Sequence, residues 1–320
     1  MENMLYDNYK KSLEQKYNAV CFDIDGTLTV KDSKKIDNKA INMIVELLRK
    51  KVSVVFITGR GETGLNDLKQ DIYKSIIECD DISENDIKRI YVLTNDGARL
   101  FYSNGISYKE FLSQNVYVST NDELKQLKEV DEILKRIQND FFDLTYSKDF
   151  KTNAIINIRM ILNTEDERVI EKIYGAVNDI ICLEQFKGIH LTRGFYKNKP
   201  VIQIGTATKD NSIERAEKII GVPRDSMIRI GDCGDIHGND YLMLDCKQGY
   251  SVDKTSGSID KCFPIFDKNG EILKGVPATL ELINAAKILP TVCLESADKS
   301  NYKFDFAFIE KIYSPTIKKH

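Results

Sequence analysis

The chain has 320 residues, 42% hydrophobic and 30% charged, enough for one large globular domain or two modest ones. A net charge of −3 and a pI near 5.8 argue against a polyanion-binding surface, so no nucleic-acid partner is expected. The N-terminal MENMLYDNYKKSLEQKY lacks the basic-then-apolar layout of a signal peptide, and the run NAIINIRMIL is too short to cross a bilayer and contains Arg159, so a soluble cytoplasmic protein is expected.

In chain order, residues 18–24 (NAVCFDI) read as a strand. Residues 36–50 read as a helix, with Ile36, Ala40, Ile44, Leu47 and Leu48 at helical spacing. VSVVFI is a second strand, residues 62–77 a second helix and RIYVLT a third strand. This β-α-β-α-β order predicts a Rossmann-like α/β core, a parallel sheet with helices on its faces. After Asn95 the pattern changes. ARLFYS and ISYKEFL suggest a hairpin around Asn104-Gly105, and a charged helix covers 121–139. NAIINIRMIL is a strand, 164–178 a helix, and IICLEQF and GIHLTRGF a strand pair joined at Lys187-Gly188. The aromatics of NDFFDLTY are assigned to the core of this α+β insert. The alternation then resumes with a helix over 208–220 closed by Gly221 and Pro223, the strand MIRIG, a short helix over 239–245, the strand GYSV and a helix over 277–288. The expected division is a discontinuous core of residues 1–97 and 198–292, an α+β insert of residues 98–197 and a tail of residues 293–320 without clear periodicity.

Seven scattered cysteines form no C-x-x-C pair and read as reduced thiols; three histidines make a structural zinc site improbable. Gly59, Gly61 and Gly64 fall in the spacing G-x-G-x-x-G of a dinucleotide-binding turn. That reading requires an acid at the end of the next strand, about twenty residues on. The next strand ends near Asn95-Asp96, too far along, and the reading leaves the acids described next without a purpose.

FDIDGTLT, Phe22 to Thr29, places Asp23 and Asp25 at the end of an apolar strand. Residues i and i+2 of an extended segment point the same way, so both carboxylates face one crevice at the sheet edge where open α/β sheets bind ligands. Paired carboxylates repel unless a cation or a shared proton relieves them, and an all-oxygen donor set favours Mg²⁺. One Asp can attack phosphorus, and the other can give and take the proton. Thr58 directly follows VSVVFI, Asp232 follows MIRIG, and Lys209 opens the helix before MIRIG. Polar residues at three strand ends of one parallel sheet would converge on one crevice, and the helix-opening Lys209 could bring positive charge there, which meets the demands of phosphoryl transfer.

With DIDGT at 23–27, ITGR at 57–60, Lys209 opening ATKDNSIERAEKIIGV and IGDCGDIHGND at 230–240, the chain resembles the haloacid dehalogenase superfamily of phosphohydrolases. The insert between the second and third motifs is similar to the cap of the sugar-phosphatase branch. The resemblance implies that Asp23 is the nucleophile and Asp25 the general acid/base. It implies that Thr58, Gly59 and Lys209 hold the phosphoryl group. It also implies that Asp23, the carbonyl of Asp25, and Asp232 bind Mg²⁺. Family members commonly carry a shorter fourth motif, G-D-x-x-N-D. Here Asp240 aligns best with its second acid, while Asp235 is a further candidate that either reaches the metal or caps a turn. His237 either meets substrate or satisfies a turn. Arg60, Asn95, His190 and Arg193 are candidate substrate contacts; the alternative for Arg60 is a pair with an acid beside the site, and for His190 and Arg193 a solvated hairpin.

The longer 232–240 spacing is similar to that of eukaryotic-type phosphomannomutases. Thr58-Gly59-Arg60 is more similar to sugar-phosphate phosphatases, and the mutases' arginine-bearing cap segment is not found. The expectation is a Mg²⁺-dependent phosphatase acting on a small phosphorylated metabolite such as a sugar phosphate. A sugar phosphomutase and a non-catalytic ligand-binding member of the fold are the alternatives.

Overall fold

The apolar runs at 19–22, 53–57, 90–94 and 227–231 pair side by side, because each is apolar on both faces and is covered on both. The computed structural model describes residues 2–30, 33–61, 79, 81–103, 111–115, 120–148, 155–182, 186–196 and 199–292. The expected helix over 62–77, the turn at Asn104-Gly105, Gly64 and the tail lie outside these residues.

The chain begins with α1 (Glu2–Leu13), β1 (Lys16–Tyr17), β2 (Ala19–Phe22), α2 (Asn38–Arg49), β3 (Ser53–Ile57), α3 (Glu84–Ile87) and β4 (Ile90–Thr94). The hairpin strands β5 (Arg99–Ser103) and β6 (Phe111–Asn115) follow. Next come α4 (Asn121–Ile137), β7 (Phe142–Lys148), β8 (Ile155–Leu162), α5 (Glu167–Ile181), β9 (His190–Tyr196) and β10 (Lys199–Gly205). The last part holds α6 (Lys209–Ile220), β11 (Met227–Cys233), α7 (Tyr241–Leu244), β12 (Gly249–Lys254), β13 (Phe263–Phe266), β14 (Ile272–Leu273), α8 (Gly275–Ala285) and β15 (Lys287–Ile288).

The large sheet has the order β14-β13-β12-β11-β2-β3-β4-β5-β6. Strands β13 through β4 in that order run parallel, and β14, β5 and β6 are antiparallel additions at its two edges. Alternation assigns its faces. Val20, Phe22, Val54 and Phe56 pack under α2 and α8, while Ala19, Cys21, Val55 and Ile57 pack under α6. The chain lays β3 and β4 on one side of β2, and β11 to β13 on the other. The gap between β2 and β11 is therefore the topological switch point, the place where such sheets bind ligands.

The small sheet, β7-β8-β10-β9, is antiparallel throughout. Its Ile158, Met160, Ile202 and Ile204 pack on α4 and α5. Its membership differs from the expected insert of residues 98–197. The β5–β6 hairpin extends the large sheet, and β10, read as core, is a central strand of the small one. The expected strand IICLEQF is corrected as well. Ile170, Tyr174, Val177 and Ile181 continue one buried helical stripe, so α5 runs through Ile181 and Cys182 caps it. The partner of β9 is β10, with His190 opposite Gly205 and Tyr196 opposite Lys199. Phe142 of NDFFDLTY is buried as expected, but Phe141 is exposed. Elements α1, β7, β10, β13 and β14 had no counterpart in the sequence reading.

Candidate active site

Asp23 continues β2 by one residue, its N–H donating to the Ile230 carbonyl of β11 at 2.8 Å. This contact straddles the switch point and brings Asp23 beside Asp232, the sixth residue of β11. Gly26 turns the chain away at φ 75°, and a Cβ there would overlap Asp232 Oδ2. A glycine is thus required both for the backbone angle and for the close approach of the carboxylate.

Lys209 is the first residue of α6, with Thr208 as N-cap, its hydroxyl accepting from Asn211 N. Its ammonium is buried and donates to Asp23 Oδ1 and Asp240 Oδ1, both at 2.5 Å. Burial pulls the Lys209 pKa down, but Asp23, Asp240 and Asp96 outweigh it and hold it well above the usual range. Asp240 is fully buried, and its Oδ2 accepts the N–H groups of Asp232 at 3.0 Å and Cys233 at 3.1 Å. Both oxygens of Asp240 are therefore engaged.

Burial pushes the Asp23 carboxyl up to about 7; Lys209 opposes this, and Asp240 and Asp25 add to it. Burial, then the charges of Asp240 and Asp23, raises Asp232 well above its usual range. Ligand atoms of Asp232, Cys233 and Asp240 lie within 4.8 Å of one another. Two buried carboxylates, Asp23 and Asp240, thus share one lysine with the half-buried Asp232 beside them, a crowding that a divalent cation would relieve. Oxygen donors of this kind suit a hard cation such as Mg²⁺.

Thr58 follows β3 and is fully buried. Its N–H donates to Leu93 O at 2.9 Å, its Oγ1 accepts from Arg60 N at 3.0 Å, and its carbonyl accepts from Asp96 N. Arg60 grips Asp25 with two donors, Nε to Oδ2 at 2.8 Å and Nη2 to Oδ1 at 2.5 Å. Asp25 is thereby turned outward, with its side chain 55% exposed. Asn95 is buried at the end of β4, with φ 51° and its N–H on Arg60 O; its Oδ1 lies beside Gly61.

The cap-side candidates divide. His190 lies on the same face of the small sheet as Asn157, through Gly205. Arg193 belongs elsewhere: Glu171 and Glu167 hold its guanidinium over the Tyr174 ring, all on α5. The long fourth-motif loop docks on this part of the cap. Arg193 N donates to His237 O at 2.7 Å, and the His237 ring lies 4.7 Å from that of Tyr174. The Asp235 carbonyl accepts from Gly238 N, closing the loop's turn.

Four polar residues of this site escaped the sequence reading as candidates. Asp96 is buried, and Gln203 Nε2 and Asn157 Nδ2 donate to its carboxylate. Arg159 Nη2 donates to Gly59 O at 2.8 Å. Asn157 and Arg159 stand two apart in NAIINIRMIL, and two polar residues on one face of an apolar strand were the signal available.

A family model described as haloacid dehalogenase-like hydrolase matches residues 20–257. No curated protein matches the chain. Among solved structures, the chain is similar to an IMP-bound mutant of Plasmodium falciparum IMP-nucleotidase, with a TM-score of 0.54 at 16% identity over 73% of this chain. It spans 64% of that protein's chain. An N-terminally truncated form of the same nucleotidase gives 0.57 at 14% identity, over 86% of this chain and 72% of the other. A structure reported for conservation of a trigonal-bipyramidal intermediate in a phosphoryl-transfer superfamily gives 0.51 at 16% identity, over 84% and 97%. At these identities the likeness is one of fold.

Proposed function

The chain belongs to the haloacid dehalogenase-like hydrolases, and from that premise we propose that it is a Mg²⁺-dependent phosphatase of small phosphomonoesters, working through an aspartyl-phosphate on Asp23. The observation that carries this reading is the buried contact of Lys209 with Asp23 at the switch point, with Asp232 beside it and Thr58 at the end of the adjacent β3. A bound Mg²⁺ would be held by Asp23, the Asp25 carbonyl and Asp232, and would offset the negative charge of carboxylates and phosphoryl oxygens.

Lys209 and Thr58 orient the phosphoryl group, and Gly59 lets the chain turn beside it. An Asp23 oxygen attacks phosphorus, and the P–O bond to the leaving group breaks. Asp25 gives that oxygen a proton, having exchanged Arg60 for it. Asp25 then takes a proton from water, whose oxygen attacks phosphorus and releases phosphate, restoring Asp23. Asp240 orders the site by holding Lys209 and the backbone of Asp232 and Cys233.

The leaving group would meet the polar face of the small sheet, which carries Thr145, Asn157, Arg159, His190, Thr192 and Gln203 in register. Amide, hydroxyl and guanidinium groups suit a sugar phosphate, whose hydroxyls need such partners. The test is Mg²⁺-dependent phosphate release from p-nitrophenyl phosphate, hexose phosphates and nucleoside monophosphates. Asp23→Asn should reduce release by at least about 10³-fold. Isomerisation of a hexose phosphate without net release would replace the phosphatase reading with a mutase, and Mg²⁺-dependent release unaffected by Asp23→Asn would remove the mechanism.

A further inference from the structure

Between the end of β4 and the start of β5 the backbone turns through three consecutive left-handed residues, Asn95 (φ 51°), Asp96 (φ 54°) and Gly97 (φ 89°). Asn and Asp visit this region more readily than other side-chain-bearing residues, and successive positive φ angles suit the reversal between the antiparallel strands β4 and β5. Contacts from the core fix this turn. Asp96 N donates to Thr58 O at 3.0 Å, Ser212 Oγ to Asp96 O at 3.1 Å, and Arg215 Nη1 to Gly97 O at 2.9 Å. The core thus presents the Asp96 carboxylate in one fixed direction, and that direction is the cap.

Two cap strands meet it. Gln203 of β10 and Asn157 of β8 both donate to Asp96 Oδ2. Arg159, opposite Gln203 in the β8–β10 register, lies between them and the second motif, with Nε 3.4 Å from Gln203 Oε1 and Nη2 on Gly59 O. The acid, two amides and a guanidinium thus form one buried or half-buried network across the core–cap seam, next to Thr58.

We propose that Asp96 is the post on which the cap closes: a positioning residue that holds Asn157, Arg159 and Gln203 over the phosphoryl site and, through Arg159, fixes the turn after Thr58. It does no chemistry itself. Its effect on substrate rests on the phosphatase reading above; its effect on the cap does not.

The test exchanges donor and acceptor. Asp96→Asn keeps the backbone angle and loses the charge; Gln203→Glu sets two carboxylates face to face. The double variant restores one donor and one acceptor in reversed order. Amide hydrogen exchange is followed over Ile155–Leu162, Lys199–Gly205 and the Thr58–Gly61 segment. Each single variant should speed exchange there by about tenfold, Gln203→Glu the more, while α2 and β12 keep wild-type rates. The double variant should return to near wild type. Kinetics with p-nitrophenyl phosphate should follow the same order, with the loss chiefly in KM. Unchanged exchange in both single variants overturns the proposal, as does a double variant whose effects simply add. A uniform rise throughout the protein also overturns it, since that is a structural defect. If the wild type releases no phosphate, the phosphatase reading fails while the exchange order still decides the role of Asp96.

Discussion

Lys209 sits between two buried acids and offsets the charge of both. Its ammonium is closed off from water, so neither Asp23 nor Asp240 has solvent to fall back on. Breaking a buried pair costs more than the pair contributes, because the partner charge stays behind. Lys209→Met is therefore expected to lower unfolding free energy by about 3–5 kcal/mol, read as a shift of the denaturant midpoint. Arg60 shows the opposite economy of contact. It holds Asp25 at the surface, where the acid is free to change partners as an acid/base must.

The small sheet is built by alternation. One face is apolar and lies on α4 and α5; the other is polar and meets the core. His190 opens β9, and burial holds its imidazole below the usual range, with Glu123 opposing. A histidine whose folded pKa is depressed contributes stability above its unfolded pKa of about 6.5, and that contribution is lost as pH falls through the folded value. Acidification from about pH 7 to 5 should therefore lower the melting temperature of the wild type more than that of His190→Gln, in parallel thermal scans. Strands β2, β3, β4 and β11 of the large sheet were legible as elements because each is a short apolar run buried on both faces. β7 and β10 were not, because their half-exposed faces interrupt the run with polar residues. The end of α5 was misread because Ile180, Ile181 and Cys182 favour strands locally, while the helical stripe from Ile170 decides the outcome.

Across the whole molecule, the site joins segments remote in the chain. Asp23 comes from β2 and Asp232 from β11, and the Asp23–Ile230 backbone contact joins the two strands. A cation held by both would tie these segments together, so it should bind the folded chain and not the unfolded one. Mg²⁺ at about a hundred times its dissociation constant should then stabilise the protein by about 2.7 kcal/mol. The check is a rise in melting temperature with Mg²⁺ that Asp232→Asn abolishes and EDTA reverses. Among the described residues no helix is long and apolar enough to cross a membrane.

The sequence by itself determined the α/β class, the parallel core, the strand-end residues Asp23, Thr58 and Asp232 and the helix-opening Lys209, since each rests on local spacing: an apolar run, then a polar group, or the start of a helical stripe. Only the tertiary structure decided what those residues face. It brought Asp96, Asn157, Arg159 and Gln203 into one network across the seam, tied Arg193 to α5 instead of the cleft, and turned both oxygens of Asp240 to Lys209 and the backbone. Those facts depend on strand order and register between segments up to 107 residues apart, and no local pattern of residues encodes them.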